Sequence, residues 1–282
     1  ASGVRLGLTG DSPLPTELAA RFERETGIAV RNILGMTECA GVISIEPALA
    51  PRTPGSCGLP LPFSEVQVDG GGVLRLRGPN VGPGYTETAR DAGTFEDGWL
   101  LTGDIGHVDD EGRVYVTGRA KDVIIRGAHN IDPGAIEEAL LQHPGVALAA
   151  AVGEPDEYAG ELPVAFVVAK PGVTVDADAL LAFAAPRIPE RAAVPKRIDV
   201  LDALPLTAIG KVYKPALRVL ACTRTVRERL ERAGLLERLT VQGEDRSGRI
   251  VMRFVPVHAR DATLDDAVRA LMAGFALAWE FA

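Results

Sequence analysis

The sequence is poor in cysteine, in long apolar runs and in net positive charge, and each shortage excludes a class of protein. Its three cysteines, Cys39, Cys57 and Cys222, are odd in number and widely spaced. This spacing fits neither a disulfide framework nor a zinc site, so we expect buried free thiols and a cytoplasmic location. No apolar run approaches the roughly 20 residues that span a bilayer. A net charge of -8 argues against a nucleic-acid-binding protein, because no large basic field exists to replace phosphate counterions.

The remaining composition is that of an ordinary globular protein. Hydrophobic residues make up 46% of the chain and charged residues 24%, which is enough apolar material for a packed core. A length of 282 residues allows one large domain or two ordinary ones. We therefore expect a globular protein with no nucleic-acid partner and no membrane span.

The pattern of apolar residues predicts a mixed α/β and α+β fold. Residues 4–9 and 28–34 are typical of strands and flank a helix at 15–26, which makes a β-α-β unit. Short strands at 65–68, 72–77 and 112–117 are separated by Gly and Pro turns. Such strands indicate a small antiparallel barrel or sheet, which we describe as a β-barrel-like region.

Beyond Lys121 the pattern changes to an alternation of helices and strands, which predicts a separate α+β domain. Its predicted elements are a helix at 131–142, strands at 146–152 and 162–169, a helix at 176–185 and a strand at 197–201. A proline at the start of the first of these helices is typical of an initial helical turn.

Residues 219–282 are predicted to form a structural αββα appendage. Arg/Glu pairs four residues apart favour a helix at 226–239, and a hairpin at 239–257 turns around 245–248. Thr263 begins a last helix with a capping-box-like pattern. The apolar stripe of that helix comprises Leu264, Val268, Leu271, Met272, Phe275 and Trp279.

Four short motifs carry the chemistry. They are Leu-Gly-Met-Thr-Glu at 34–38, Trp-Leu-Leu-Thr-Gly-Asp at 99–104, Thr-Gly-Arg-Ala-Lys-Asp at 117–122 and Pro-Leu-Thr-Ala-Ile-Gly-Lys at 205–211. Taken singly, each also has a structural interpretation as a helix-capping pair, a turn aspartate or a solvated loop lysine. Together and in this order, they resemble the adenylate-forming enzyme superfamily, which contains acyl-CoA synthetases, luciferases and the adenylation domains of peptide synthetases.

Activation of a carboxylic acid by ATP brings a carboxylate against a negatively charged α-phosphate. The site must therefore supply positive charge and hydrogen-bond donors. A lysine on a Gly-Lys loop suits this need, and the resemblance gives Lys211 that role in adenylate formation. The resemblance also implies that the Thr37 hydroxyl bonds to the same phosphate. It further implies that Glu38 holds a Mg²⁺ ion, which neutralises the other phosphates.

The resemblance assigns the nucleotide contacts as well. Asp104 is expected to accept hydrogen bonds from the ribose hydroxyls of ATP or AMP, and Arg119 to contact the ribose near the domain junction. The other nucleotide-binding residues that it implies are Gly10, Asp11, Ser12, Gly35 and Met36. The first three of these are similar to the Gly-rich adenine-contacting loop, although Asp11 and Ser12 depart from the commoner Gly-Ala.

Two further functions follow from the resemblance. Lys121 lies at the position of the hinge about which the lid domain rotates between adenylate formation and thioester formation. Gly127 and Ala128 lie in the turn that lines the pantetheine channel for coenzyme A, where most members have a second glycine in place of Ala128. Leu34 similarly replaces an aromatic residue that packs on adenine. Neither change removes a charged group, so we expect these two substitutions to adjust the binding of coenzyme A and adenine rather than to abolish activity.

The resemblance also predicts the domain organisation. Residues 1–120 are expected to be the C-terminal part of the large AMP-binding domain, 121–218 the mobile lid domain and 219–282 an extension. The superfamily's Ser/Thr/Gly-rich phosphate loop, which ends in Pro-Lys, has no counterpart in the sequence. We therefore expect the chain to be the C-terminal portion of a longer protein and to be inactive alone.

The leading hypothesis is an AMP-forming acyl-CoA synthetase that uses ATP, Mg²⁺ and coenzyme A to activate a fatty or aromatic acid. A peptide-synthetase-type adenylation domain is a second hypothesis, although residues 219–282 offer only Ser247 as a phosphopantetheine acceptor, in an unsuitable context. A non-catalytic adenylate-binding fragment is the third. The sequence leaves the oligomeric state open, and a homodimer is one of the alternatives.

Overall fold

The computed structural model divides the chain into two compact units, Ala1–Lys121 and Asp122–Ala282, which we call unit 1 and unit 2. The residues that it describes are 3–10, 14, 16–208, 210–246 and 248–282, except for the side chains at 16, 17 and 90. Both units contain α-helices and strands, so the predicted mixture of α/β and α+β structure is confirmed.

The first sheet of unit 1 is a β-α-β unit extended by two more strands. Its elements are β1 (Leu6–Thr9), α1 (Thr16–Thr26), β2 (Ala29–Met36), β3 (Gly41–Ile45) and β4 (Leu59–Pro60). β1 and β2 are parallel, with Leu6 opposite Ala29, while β3 and β4 continue the sheet in antiparallel fashion. The β-α-β unit predicted from the sequence is therefore correct, and it places the Thr-Glu motif directly after β2.

The second sheet of unit 1 is antiparallel and open. Its strands are β5 (Glu65–Val68), β6 (Val73–Arg77), β7 (Phe95–Glu96), β8 (Trp99–Val108) and β9 (Val114–Arg119). β8 pairs with β6, β7 and β9, and no pairing among the described strands closes the sheet into a barrel, so the antiparallel sheet is the alternative that the structure adopts. The reason lies in β9, whose outer edge bonds to the loop before β4 instead of to β5. The Cys57 N–H donates to the Val114 carbonyl at 2.7 Å, and the Val114 N–H donates to the Gly58 carbonyl at 2.9 Å.

The first part of unit 2 is a sheet covered by helices on both faces. Its elements are β10 (Ile124–Arg126), β11 (His129–Ile131), α2 (Pro133–Leu141), β12 (Val146–Asp156), β13 (Gly160–Ala169), α3 (Ala177–Ala184), β14 (Ile198–Val200) and α4 (Lys214–Arg232). Ala151 and Val167 pack in the core that α2 and α3 share. Val152 and Phe166 pack on the opposite side, in the core that contains α4 residues. Burial on both faces explains why β12 and β13 are continuous apolar runs in the sequence.

Helix α4 begins earlier and ends earlier than the helix predicted at 226–239. It begins with a proline in its first turn and extends through residues 218 and 219, where the sequence analysis placed a domain border. Gly234, with φ 67°, ends it in a left-handed cap. The Gly234 N–H donates to the Glu231 carbonyl and the Leu235 N–H to the Leu230 carbonyl, the bond pair of a Schellman motif. Within the described residues, no helix is long and apolar enough to cross a membrane.

The rest of unit 2 forms a small sheet that packs on α4 and a last helix. Its elements are β15 (Leu239–Arg246), β16 (Arg249–Pro256), α5 (Ala262–Met272) and β17 (Ala278–Phe281). The hairpin of β15 and β16 is as predicted, but the last helix is not capped by Thr263. Asp261 caps it instead, accepting a 2.7 Å bond from the Leu264 N–H. Trp279 belongs to β17, parallel to β16, so the predicted αββα appendage has an additional strand.

Candidate active site

The Thr-Glu motif lies in a tight turn between β2 and β3. A 3-10 turn at Thr37–Cys39 follows β2, and Gly41 takes a positive φ of 112° as β3 begins. A side chain at Gly35 would overlap the Gly41 carbonyl, so glycine lets the two backbones approach closely. The local fold thus presents an exposed Thr37 and a half-buried Glu38 at the end of a strand of the β-α-β unit.

A cavity of about 540 Å³ opens beside this turn. Its lining includes four of the predicted site residues, Gly10, Gly35, Met36 and Thr37. The remaining lining residues are Ile33, Ala40, Gly41 and Val42. Gly10 after β1, residues of β2 and β3, and the turn between these two strands therefore form one concave surface. It is lined mainly by small side chains and is large enough for part of a ligand.

Gly10 directly follows β1 and begins the segment that the sequence analysis assigned to adenine. A Cβ atom at this position would lie 2.7 Å from the Ile33 Cγ1 atom, so a larger residue would force Ile33 to move. Asp11 and Ser12 lie outside the described residues, and their assignment remains a prediction.

Glu38 is contacted by a segment that sequence reasoning did not single out. The Gly82 N–H donates to the Glu38 carbonyl at 2.8 Å, and the Tyr85 hydroxyl donates to the Glu38 carboxylate. The only signal in the sequence is the Gly-Pro-Gly-Tyr stretch at 82–85, which indicates a turn and nothing about its partner. The contact could not be found from the sequence because 47 residues separate the two side chains.

Asp104 and Arg119 face each other on neighbouring strands of the second sheet. They are register partners in β8 and β9, and the Arg119 Nε atom lies 2.8 Å from the Asp104 Oδ1 atom. Asp104 is 6% exposed, whereas the Arg119 side chain is 51% exposed. The Thr102 hydroxyl accepts a 2.9 Å bond from the Asp104 N–H. The two predicted ribose-binding residues are thus adjacent, with the carboxylate fixed and the guanidinium reaching solvent.

The three cysteines are free and buried, as the sequence predicted. Burial raises the pKa of the Cys57 thiol to about 11 and that of the Cys222 thiol to about 12. Burial also raises the pKa of the Cys39 thiol, beside the Thr-Glu motif. Thiols with such pKa values are protonated near neutral pH, so these cysteines are not nucleophiles of the site.

Lys211 lies on a short hairpin just before α4. Leu206 and Val212 form an isolated bridge, and the Thr207 N–H donates to the Lys211 carbonyl at 2.7 Å. The Thr207 hydroxyl in turn accepts a 3.1 Å bond from the Lys211 N–H. Gly210 has a positive φ of 81°, which explains why glycine precedes the lysine.

Gly127 and Ala128 form the two-residue turn of the hairpin between β10 and β11. Gly127 has a positive φ of 58°, and its N–H donates to the Ala159 carbonyl at 2.6 Å. Glycine at the first central position is the requirement of a type II′ turn, whereas the second position accepts other residues. Ala128 does not have a positive φ, so its methyl group causes no backbone strain.

Lys121 lies in a 3-10 turn, Ala120–Asp122, between β9 and β10. The border between the two units falls directly after it. On the other side of that border, Asp122 is held by Arg218 of α4, with 3.2 Å between the charged atoms. The hinge role of Lys121 remains a prediction.

Magnesium has one candidate ligand among the predicted residues. Within the part of the chain that the structure describes, no group of three or more His, Cys, Asp or Glu side chains could hold a metal ion. Mg²⁺ is, however, usually bound by one or two carboxylates together with substrate phosphates, and it keeps several waters. A single half-buried carboxylate beside the cavity fits that mode of binding.

Two family models match the chain, and together they match more than half of it. The model of the AMP-binding enzyme family matches residues 1–86. The model of the AMP-binding enzyme C-terminal domain matches residues 135–211. These segments contain the Thr-Glu turn and the Lys211 hairpin, respectively.

Similar proteins carry ligase names. The marinolic acid–CoA ligase of Pseudoalteromonas sp. (strain SANK 73390) is 41% identical over 79% of this chain and 36% of its own length. The long-chain-fatty-acid–CoA ligase of Bacillus subtilis (strain 168) is 36% identical over 77% of this chain and 40% of its own length. The chain thus spans well under half the length of these relatives.

A solved structure resembles this chain in three dimensions. The O-succinylbenzoate coenzyme A synthetase of Bacillus subtilis, in complex with ATP and a magnesium ion, superposes with a TM-score of 0.67 at 33% identity. The match covers 77% of this chain and 46% of that protein. The two family matches, the relatives and the shared fold lead to one conclusion: the chain belongs to the AMP-binding enzyme family.

Proposed function

We propose that the protein containing this chain activates a carboxylic acid with ATP to an acyl-adenylate and then transfers the acyl group to coenzyme A. The observation that carries the proposal is the cavity at the end of β2, which gathers Gly10, Gly35, Met36 and Thr37 beside Glu38. Small residues leave space for a ligand there, while a hydroxyl and a carboxylate supply the polar groups that a phosphate and its cation require.

In the first step, a carboxylate oxygen of the acid attacks the α-phosphorus of ATP. The bond between that phosphorus and the oxygen that leads to the β-phosphate breaks, and pyrophosphate leaves. Lys211 supplies positive charge to the attacking carboxylate and the α-phosphate, and the Thr37 hydroxyl donates a hydrogen bond to the same phosphate. Asp104 and Arg119 position the ribose, since an ionised carboxylate is a suitable acceptor for two neighbouring hydroxyls.

Glu38 would hold the magnesium ion of the ATP complex, which supplies charge neutralisation at the outer phosphates. The residue needs no catalytic chemistry of its own for this task. Its carboxylate must lie at a constant place relative to Thr37, and the tight turn at Thr37–Cys39 provides that spacing.

In the second step, the coenzyme A sulfur attacks the acyl carbonyl carbon, and AMP leaves while the thiol proton is released. We propose that the turn at Gly127 and Ala128 borders the pantetheine arm. Gly127 takes the positive φ of this turn and Ala128 does not, so the added methyl group causes no backbone strain, which supports thioester formation in spite of the missing second glycine.

We propose a fatty or an aromatic acid as the substrate. One relative is named for long-chain fatty acids and the similar solved structure for O-succinylbenzoate, an aromatic acid. The small and aliphatic residues at the end of the cavity, such as Gly41 and Val42, suit an apolar acyl group of either kind. Three protonated, buried thiols further favour a cytoplasmic location.

The experiment is a panel of carboxylic acids tested with the full-length protein for pyrophosphate release and for thioester formation. We expect release with at least one long-chain or aromatic acid, and loss of release in Glu38→Gln and Lys211→Ala variants. Absence of acid-dependent pyrophosphate release across the panel would contradict the proposed activity. We also propose that residues 1–282 alone show no ATP–pyrophosphate exchange above a Lys211→Ala control, because the phosphate loop of the family is absent from this sequence.

A further inference from the structure

We infer that Tyr85 is a positioning residue for Glu38, and through Glu38 for the magnesium ion that accompanies ATP. The inference rests on the proposed function, because the ion matters only if ATP is bound. It concerns the segment 82–85, which contacts the Thr-Glu turn although it belongs to neither strand that flanks the turn.

The segment 82–85 makes two hydrogen bonds to Glu38, one to its side chain and one to its backbone. The Tyr85 hydroxyl donates to the Oε1 atom of the carboxylate, and the Gly82 N–H donates to the Glu38 carbonyl at 2.8 Å. A hydrogen bond to an ionised carboxylate is stronger than one between neutral groups. The segment therefore holds both the backbone and the side chain of Glu38.

Tyr85 is itself held in place by two groups, the Asp91 carboxylate and the Phe95 ring. Its N–H donates a 2.7 Å bond to the Asp91 carboxylate, and its ring packs edge-on against Phe95, with 5.6 Å between the centroids and an angle of 74°. Gly84 has a φ of 144°, and a Cβ atom there would lie 2.8 Å from the Asp91 carboxylate. The glycine thus permits Asp91 to reach the backbone of Tyr85.

A support of this kind matters because a glutamate side chain has several rotatable bonds. If the side chain were unrestrained at the edge of the cavity, it would lose this rotational freedom whenever a cation was bound, and the lost entropy would weaken binding. A hydroxyl that bonds to Oε1 limits the rotation in advance and leaves Oε2 as an acceptor. Carboxylates that ligate metals are usually held by such an outer hydrogen bond, and loss of the bond weakens metal affinity about tenfold or more.

The test is the metal-dependent gain in nucleotide affinity of the full-length protein. Binding of a non-reactive α,β-methylene analogue of ATP is measured with Mg²⁺ and with EDTA, and binding of AMP is measured separately. We expect Tyr85→Phe to reduce the Mg²⁺-dependent gain about tenfold or more and to leave AMP affinity unchanged, since the phenyl ring still packs on Phe95.

A matched control removes a tyrosine hydroxyl that bonds to another carboxylate of unit 1. Tyr115 donates to Asp109 at 3.1 Å, and Tyr115→Phe should leave both the Mg²⁺-dependent gain and AMP affinity unchanged. Glu38→Gln should abolish the gain. Adding Tyr85→Phe to Glu38→Gln should then have no further effect, because the two side chains act as one unit.

Three results would overturn the inference. The gain in Tyr85→Phe could equal that of the unmodified protein, AMP affinity could fall by the same factor as the gain, or the two substitutions could act independently. If Glu38→Gln keeps the full gain, the magnesium role in the proposed function fails. If Glu38→Gln loses the gain while Tyr85→Phe keeps it, only the inference about Tyr85 fails.

Discussion

The two units hold their charged site residues in different ways. In unit 1, Glu38 and Asp104 each bond to a side chain from another segment, Tyr85 and Arg119 respectively. In unit 2, the backbone of Lys211 bonds to Thr207, four residues away within the same hairpin. The acidic residues are therefore held by segments distant in the sequence, a loop for Glu38 and a neighbouring strand for Asp104, whereas the hairpin of the lysine is shaped by bonds among its own residues.

This difference suits the two tasks proposed for the residues. Groups that recognise ATP must keep one geometry, and long-range hydrogen bonds provide it. A lysine that serves one of two steps must arrive with its loop already formed, whatever surrounds the loop at that moment. A hairpin closed by its own hydrogen bonds meets this requirement.

The largest expected effect is that of Lys211→Ala on adenylate formation in the full-length protein. Removal of one charge that stabilises the transition state should reduce the rate about 10²- to 10³-fold. Thioester formation from a preformed acyl-adenylate should change little, because no phosphate is transferred to the acid in that step. Stopped assays of each step measure the two rates, with the exposed Lys170→Ala as control. Equal losses in both steps would contradict a lysine that serves only the first.

The second largest effect concerns Asp104, one of the acidic residues of unit 1. Asp104→Asn in the full-length protein should weaken ATP binding about ten- to thirtyfold, because the hydrogen bonds from the ribose then lose their charged acceptor. The loss should disappear with 2′,3′-dideoxy-ATP, which has no hydroxyl groups to donate. Asp109→Asn, on the same sheet, is the control. If dideoxy-ATP shows the same loss, Asp104 acts by holding Arg119 or the sheet and not by binding the ribose.

The sequence predicted local features of this fold well. The strand at 65–68 and the hairpin at 239–257 were found where Gly and Pro turns separate short apolar runs. The glycine of the Thr-Glu motif and the glycine before Lys211 have positive φ values or close contacts that account for them. Such features depend on neighbours within a few residues, so a sequence motif contains most of the information.

Features that depend on distant partners were missed. The helix predicted at 226–239 followed the Arg/Glu pattern, but the apolar face of α4 begins at Leu217, and its role is visible only against β12. The sequence did not show whether the second sheet closes into a barrel, because the outer edge of β9 bonds to a loop next to the first sheet. Tyr85 was missed for the same reason, since its partner lies in another element.

A third prediction tests whether the start of α4 is anchored independently of the hairpin before it. Lys214 lies 2.8 Å from the Glu137 carboxylate of α2, and both side chains are about one fifth exposed. Lys214→Met should reduce the free energy of unfolding of the chain by about 1–2 kcal/mol, because it leaves a poorly solvated carboxylate without its cation. Urea unfolding measures the change, with Lys196→Met, an exposed site, as control.

The pH dependence of this loss has a defined sign. Burial raises the pKa of the Glu137 carboxyl above its ordinary value of 4.5, in spite of Lys214. The native state therefore binds the proton more readily than the unfolded state, and stability falls as the pH rises from 4.5 through the raised native pKa. Without Lys214 that pKa rises further, so the deficit of Lys214→Met should be largest at neutral pH and shrink on acidification. A deficit that does not change with pH would indicate lost packing rather than a lost ion pair.

The smallest expected effect tests the hairpin itself. Thr207→Val removes the hydroxyl that accepts from the Lys211 N–H and keeps the side-chain shape and the backbone bond between the same residues. A neutral hydrogen bond contributes about 1 kcal/mol, so adenylate formation by the full-length protein should slow about two- to tenfold. Thioester formation and the melting temperature should not change, because the bond orders only the loop.

Thr207→Ser is the control variant, since it keeps the hydroxyl and should restore the rate. If Ser fails to restore it, or if both steps slow together, the hairpin is not held by its own hydrogen bonds, and the contrast between the two units has to be explained by contacts outside the loop.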